Sequence, residues 1–232
     1  MSLRQRLQQP WQRRGVIAIA PSLAGLVILL RAIGLFQAWE WAAFDQFMRS
    51  RPLEPPDHRI VVVGLNEKDV SEIGQAIVPD GIYAQVIEKL RSQSPRAIGL
   101  DIYRDLPVEP GHRELTDIFK TTPNLVGIQK VVGNRALEAV SPSAVLAELG
   151  QIGANDIVTD ADNTVRRGLL SVQTTEGETV YSLSLYLALL YLEAEDIQPR
   201  SVSEDTWWLG KTLFEPFEAD DGGYVRADAN GY

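Results

Sequence analysis

Carboxylates at the ends of apolar runs are the residues of this chain best placed to do chemistry. Asp101 closes the run AIGLDI, with Arg104 and Asp105 just behind it, and Asn66-Glu67 closes the run IVVVGL. If both runs are strands of one parallel sheet, the five side chains form a polar rim at its carboxyl edge, where open α/β sheets hold ligands. Asn66, Glu67, Asp101, Arg104 and Asp105 are therefore the candidate ligand-binding residues. The competing role for Asp101 is structural, a carboxylate accepting backbone N–H groups and closing the strand end. An enzyme reading would use Glu67, Asp101 and Asp105 as acid, base or Mg²⁺ ligands. It lacks a histidine or Gly-rich loop beside them.

Other chemistries fit less well. Asp156, Asp160 and Asp162 invite a calcium loop, but a glycine at its sixth position and a glutamate at its twelfth are required. Counted from Asp160, those positions hold Val165 and Ser171. Turn chemistry with Arg166 or Arg167 as counter-ions accounts for the same residues. LNEKDVSEIG, after the first apolar run, has no closely spaced glycines and is acidic, unlike a phosphate loop. There are two histidines, His58 and His112, and no cysteine, so a thiolate site is excluded and a His-rich metal site disfavoured. No catalytic residue, metal or cofactor is expected. Tyr181, Tyr186 and Tyr191 read as core packing, and Trp207-Trp208 as one inward and one outward ring of a strand.

The elements that must position these residues follow from pattern. Ile60–Leu65 and Ala97–Ile102 read as strands buried on both faces, and Leu125–Val132 as a third. Asp80 is a candidate N-cap for a helix carrying Ile82, Val86, Ile87 and Leu90, with Pro95 beyond its end. Arg113–Lys120 forms a short helix. The order β-α-β-α-β gives three parallel strands joined by right-handed crossovers. Ser143–Leu149 is a brief helix. Ala154–Thr159 and Arg167–Thr175 flank an acidic turn and read as an antiparallel hairpin. The fourteen apolar residues Thr179–Leu192 are too few to span a bilayer and read as a buried helix. Thr206–Phe214 and Tyr224–Ala227 read as late strands.

Gly15–Leu30 holds sixteen residues without a charge, and only Arg31 separates it from Ala32–Phe36. With Trp11 at one end and Trp39 and Trp41 at the other, Gly15–Ala38 is long enough for a transmembrane helix if Arg31 snorkels. Arg4, Arg6, Arg13 and Arg14 then keep the N-terminus cytoplasmic and place the main domain outside. A cleaved signal peptide is disfavoured, since Gln37–Glu40 offers no small-x-small site. Residues 57–232 carry 15 Lys and Arg against 28 Asp and Glu, a net of −13, which argues against nucleic acid as a partner. RSRPLEPPDHR should be a stiff connector without helix. The expected fold class is α/β: a transmembrane helix, then a three-layer-like domain with a parallel core and later antiparallel strands. The divisions are a basic N-terminus at 1–14, the span at 15–38, a connector at 39–58 and the domain at 59–232. Ending in ADANGY, the sequence is expected to continue beyond residue 232.

Several segments in order resemble a known family. The N-terminal span, FDQFMRSRP, RIVVVGLNEKDVSEIG, GIYAQVIEKL, AIGLDIYRD, IGANDIVTDADNTVRRGLL and YSLSLYLALLYL look like a CHASE2 domain. The chain departs from the usual pattern at Leu65-Asn66-Glu67, at Val78-Pro79-Asp80-Gly81 and at Asp162-Asn163, and keeps Asp101 and the Arg166-Arg167 pair. The resemblance implies an extracytoplasmic sensory module of a bacterial, notably cyanobacterial, membrane receptor. It further implies an unidentified small-molecule or environmental ligand, a homodimer, and a cytoplasmic effector such as a kinase, a cyclase or a CHAT domain. A structural oligomerisation module is the remaining alternative.

Overall fold

The computed structural model describes residues 19–131, 140–174, 176–203 and 206–227. They fall into two compact units. The first runs to Arg59 and takes in the stretch from Phe217; the second is Ile60–Pro216.

In the first unit, helix α1 (Ile19–Ala32) and helix α2 (Gln37–Ser50) are bent by 82° at a short break. The single helix expected over Gly15–Ala38 is thus interrupted at residues 33–36. Gly34 sits there at φ +83, a left-handed conformation that ends a helix readily only in glycine. Among the described residues no single helix is long and apolar enough to cross a membrane, although the bent pair passes together by length and composition. Arg31 pairs with Glu40 at 2.8 Å and donates to the Gly222 carbonyl at 2.7 Å. Trp41 packs its ring against Tyr224, which meets Phe217 edge-on. The strand expected at Tyr224–Ala227 is therefore absent. That stretch is folded into turns, with Tyr224 N–H bonded to Asp221 O and Ala227 N–H to Ala219 O. Helix also extends further than expected, to Ser50, before the prolines of the connector end it. The four arginines before Gly15 lie outside the described residues.

The second unit is built on a parallel sheet in the order β1 (Ile98–Gly99), β2 (Leu125–Gln129), β3 (Ile152–Ala154). Helix α3 (Glu67–Ile73) and helix α4 (Asp80–Arg91) precede β1, α5 (His112–Lys120) joins β1 to β2, and α6 (Ala144–Glu148) precedes β3. Ile98 and Leu125 pair in register and join Tyr83, Ala84, Ile87, Leu115, Phe119 and Leu146 in one apolar cluster. Side chains alternate across a strand, so Gly99, Val126, Ile128 and Gly153 face the other way. There lies helix α7 (Leu183–Glu193). A Cβ on Gly99 would stand 2.7 Å from Leu187 Cδ1, and one on Gly153 2.8 Å from Leu183 Cα. The sheet is covered by helices on both faces. Buried Gln151 fastens its rim, donating to the Thr122 and Leu125 carbonyls at 2.8 and 2.7 Å.

Several sequence expectations need correction. The helices at 80–91 and 113–120, the strands within 97–102 and 125–132, and the short helix near Ser143 are present. Ile60–Leu65 is not a strand: it joins no ladder and its side chains are exposed. Three parallel strands do form, but the third is Ile152–Ala154, which overlaps the expected hairpin arm Ala154–Thr159 only at Ala154. The real hairpin pairs β4 (Ser171–Gln173) with β5 (Thr179–Tyr181). Thr179–Tyr181 therefore belongs to a strand, and α7 starts only after Ser182, whose hydroxyl caps it by accepting from Leu185 N–H. Beyond it, β6 (Pro199–Ser201), β7 (Trp207–Leu209) and β8 (Thr212–Phe214) form an antiparallel meander. Trp207 stacks on Phe214 with centroids 4.6 Å apart while Trp208 is exposed, the expected split.

Candidate functional site

The carboxyl edge of the parallel sheet is where the three strands release their polar residues. β1 runs out into Asp101 and Tyr103, and β3 into Asn155 and Asp156. Asn155 Nδ2 donates to Asp101 Oδ1 at 2.8 Å, and Asp156 Oδ2 accepts from Val131 N–H at 2.9 Å just past β2. Partial burial, followed by the negative charge of Asp156, pushes the Tyr103 hydroxyl above its ordinary value; a hydrogen bond with Asn155 opposes the shift. A protonated phenol therefore stands among carboxylates. Such an edge offers acceptors to a hydrogen-bond-donating ligand. Among the described residues it presents no thiol or imidazole beside them.

The five residues singled out in the sequence are distributed differently. Asp101 is exposed on this edge, and Asp105 is exposed close behind it. Asn66 caps α3, accepting from Lys68 and Asp69 N–H at 2.8 and 3.1 Å, while Asp69 returns a bond to Asn66 N–H. This reciprocal cap is what an Asn-x-x-Asp spacing favours at a helix start. Glu67 is the exposed first residue of the same helix. Among the described residues no hydrogen bond or ion pair joins Asn66 or Glu67 to Asp101.

Arg104 turns away from the edge to a buried carboxylate. Its side chain is 7 % exposed, lies over the Tyr83 ring at 4.3 Å, donates to the Val78 carbonyl and places Nη1 3.4 Å from Asp80 Oδ1. Asp80 is not the N-cap that the sequence suggested: Pro79 holds that position and Asp80 is the first helical residue. Its Oδ2 accepts from Val108 N–H at 3.2 Å and lies 2.8 Å from His112 Nδ1. Gly111, at φ +103, lets this loop close on the start of α4; a Cβ there would be 2.3 Å from Gly81 Cα. Among the described residues no hydrogen bond reaches Asp80 Oδ1 or Arg104 Nε. A groove of about 800 Å³ runs between α4 and α5, lined in part by Ile73, Pro79, Ile82, Pro110 and Ile118.

A second buried carboxylate, Asp160, accepts from Arg166 Nη1 at 2.8 Å and Arg167 Nη2 at 2.9 Å. Arg166 also holds Asp162 at 2.7 Å, and that hydrogen bond lowers the Asp162 carboxyl to about 2. The arginines thus serve as the counter-ions expected for this turn, which Asn163 completes at φ +60. Among the described residues no group of three or more His, Cys, Asp or Glu could hold a metal.

Sequence reasoning passed over Tyr103, Asn155 and His112. The first two carried a usable signal, since each stands a few residues past an apolar run. His112 did not, because it meets Asp80 across 32 positions of the chain, through the packing of α5 against the start of α4. A family model described as CHASE2 domain matches residues 23–230 of the chain, nearly its whole length. No curated protein and no solved structure matches.

Proposed function

Since the chain belongs to the CHASE2 domain family, a family of extracytoplasmic sensory domains, we propose that it is the input part of a bacterial membrane receptor. The family match carries this reading. In the proposed arrangement Gly15–Ala38 is the anchor, the N-terminus is cytoplasmic and the domain from Arg59 onward faces the periplasm. The apolar composition of that run and the arginines before it support the topology. The domain does not itself catalyse a reaction. A ligand would bias two arrangements of a homodimer, and only a difference in affinity between them can be passed to a cytoplasmic effector. A reporter active only outside the cytoplasm, fused after Tyr232, should give signal. Signal from a cytoplasm-only reporter at the same place would reverse the topology.

The ligand edge is proposed around Asp101 and Asp105, with Asn66 and Glu67 as further candidates; Arg104, turned to Asp80, is left out of it. The hydrogen bond from Asn155 to Asp101 favours a second reading, in which Asp101 ties the ends of β1 and β3 together. The two are separated by Asp101→Asn and Asp101→Ala in a signalling receptor. A ligand role that needs the charge fails with Asn. A structural tie survives Asn and loses stability only with Ala.

A further inference from the structure

We infer that the open edge of β1 is an acceptor site for a β-strand, and that its occupant is this chain's own Ile60–Leu65. Three observations converge on that pairing. First, β1 is the free side of the sheet. Ile98 N–H and Leu100 N–H bond to Asn124 and Val126 carbonyls on the β2 side. In a parallel ladder the alternate residues Ala97, Gly99 and Asp101 direct their backbone groups the other way. Among the described residues no strand meets them, whereas the far side of β3 already carries a parallel bridge from Ala154 to Ser182.

Second, Ile60–Leu65 is built for burial and does not have it. Ile60, Val61, Val62 and Val63 are 70, 81, 87 and 59 % exposed. Both alternating faces of the run are apolar, the pattern of a strand covered by helices on two sides. A contiguous apolar run of this kind is seldom left in water. The flanking layers are in place: α4 with Tyr83 and Ile87 on one face of the sheet, α7 with Leu183 and Leu187 on the other.

Third, the topology leaves one position for it. α5 lies between β1 and β2 in sequence and α6 between β2 and β3, and α4, α5 and α6 contribute to the same core cluster. Helices on one face mean crossovers of one hand and a strand order that advances in one direction. Extending the series backward through α4 and α3 puts Ile60–Leu65 beside β1, parallel to it. Its carboxyl end would then bring Asn66 and Glu67 alongside Asp101, assembling the rim that the undocked segment leaves apart. That last consequence rests on the proposed ligand edge; the strand pairing does not.

The test uses the full chain in detergent micelles, without ligand or effector, so its outcome is independent of whether the receptor reading holds. Amide hydrogen exchange at Gly99 and at alternate residues of 61–65, those whose N–H groups face β1, should be slowed at least tenfold relative to an unstructured peptide. Exchange at the unstructured rate overturns the pairing. The absence of native cysteine allows a second measurement. Ala97→Cys is combined in turn with Val61→Cys, Val62→Cys or Val63→Cys, and mildly oxidised. One pair should close a disulfide within a single chain. Cross-links found only between chains overturn the own-chain assignment and give the edge to a second copy. Exchange is read on the unsubstituted protein, so a variant that fails to fold does not remove the test.

Discussion

Two aspartates of the second unit are almost equally buried and are held in opposite ways. Asp160 receives two guanidinium groups at 2.8 and 2.9 Å from arginines whose side chains are only 4 and 5 % exposed. Asp80 has one guanidinium at 3.4 Å, outside good hydrogen-bond geometry, one backbone N–H and one half-exposed imidazole. Asp160 and its arginines lie within the one turn from Asp160 to Arg167. Asp80, Arg104 and His112 come from three separate elements and meet only when the loop from Asp101 to Gly111 closes over α4. A local cluster can optimise its geometry by itself. A nonlocal one inherits the geometry that packing allows, and Asp80 Oδ1 is left without a hydrogen bond among the described residues.

The comparison predicts unequal costs. Asp160→Ala takes the shared carboxylate away from two buried guanidinium groups, and should lower stability by about 3–5 kcal/mol, read from the urea midpoint. Asp80→Ala should cost less, about 1–3 kcal/mol, because His112 can turn to water and Arg104 keeps the Val78 carbonyl and the Tyr83 face. Equal losses, or a larger loss at Asp80, would erase the distinction. Arg104→Lys removes the flat cation from the Tyr83 ring and should cost on the order of 1 kcal/mol. A cost above that of Asp80→Ala would mean that the aromatic contact, not the ion pair, holds this loop.

The smallest effect is on acid stability. Asp162 is held at about 2, mainly by its hydrogen bond from Arg166, below the ordinary 3.8. A lowered carboxyl contributes stability that is fully present above about 3.8 and lost as pH falls through about 2. Asp162→Asn should therefore flatten the stability curve between those limits and shift it downward above them. An unchanged acid limb would show that Asp160 alone determines the strength of the turn.

Much of the local structure was legible because its causes are local. The helical period of Ile82, Val86, Ile87 and Leu90 with proline before and after it marks α4. The spacing of Asp160, Asp162 and the two arginines marks the ion-paired turn. The break at Gly34 was missed because composition favours a continuous apolar helix, and one glycine at positive φ is a small signal against it.

What pattern could not determine was partnership. IVVVGL and LVGIQKVV are equivalent as strands, yet Leu125, Val126 and Ile128 are 2 % exposed or less while Val61 and Val62 lie open. The third strand of the sheet came instead from Ile152–Ala154, where Gly153 lets α7 pack against the backbone. Arg104 stood three residues from Asp101 and was grouped with it, but the chain turns it toward Asp80. By itself the sequence determined an acidic α/β chain with an apolar N-terminal run, because period, charge and turn chemistry are properties of neighbouring residues. Only the tertiary structure decided which strand pairs with which and which arginine meets which carboxylate, because those choices balance burial and hydrogen bonding between residues far apart in the chain.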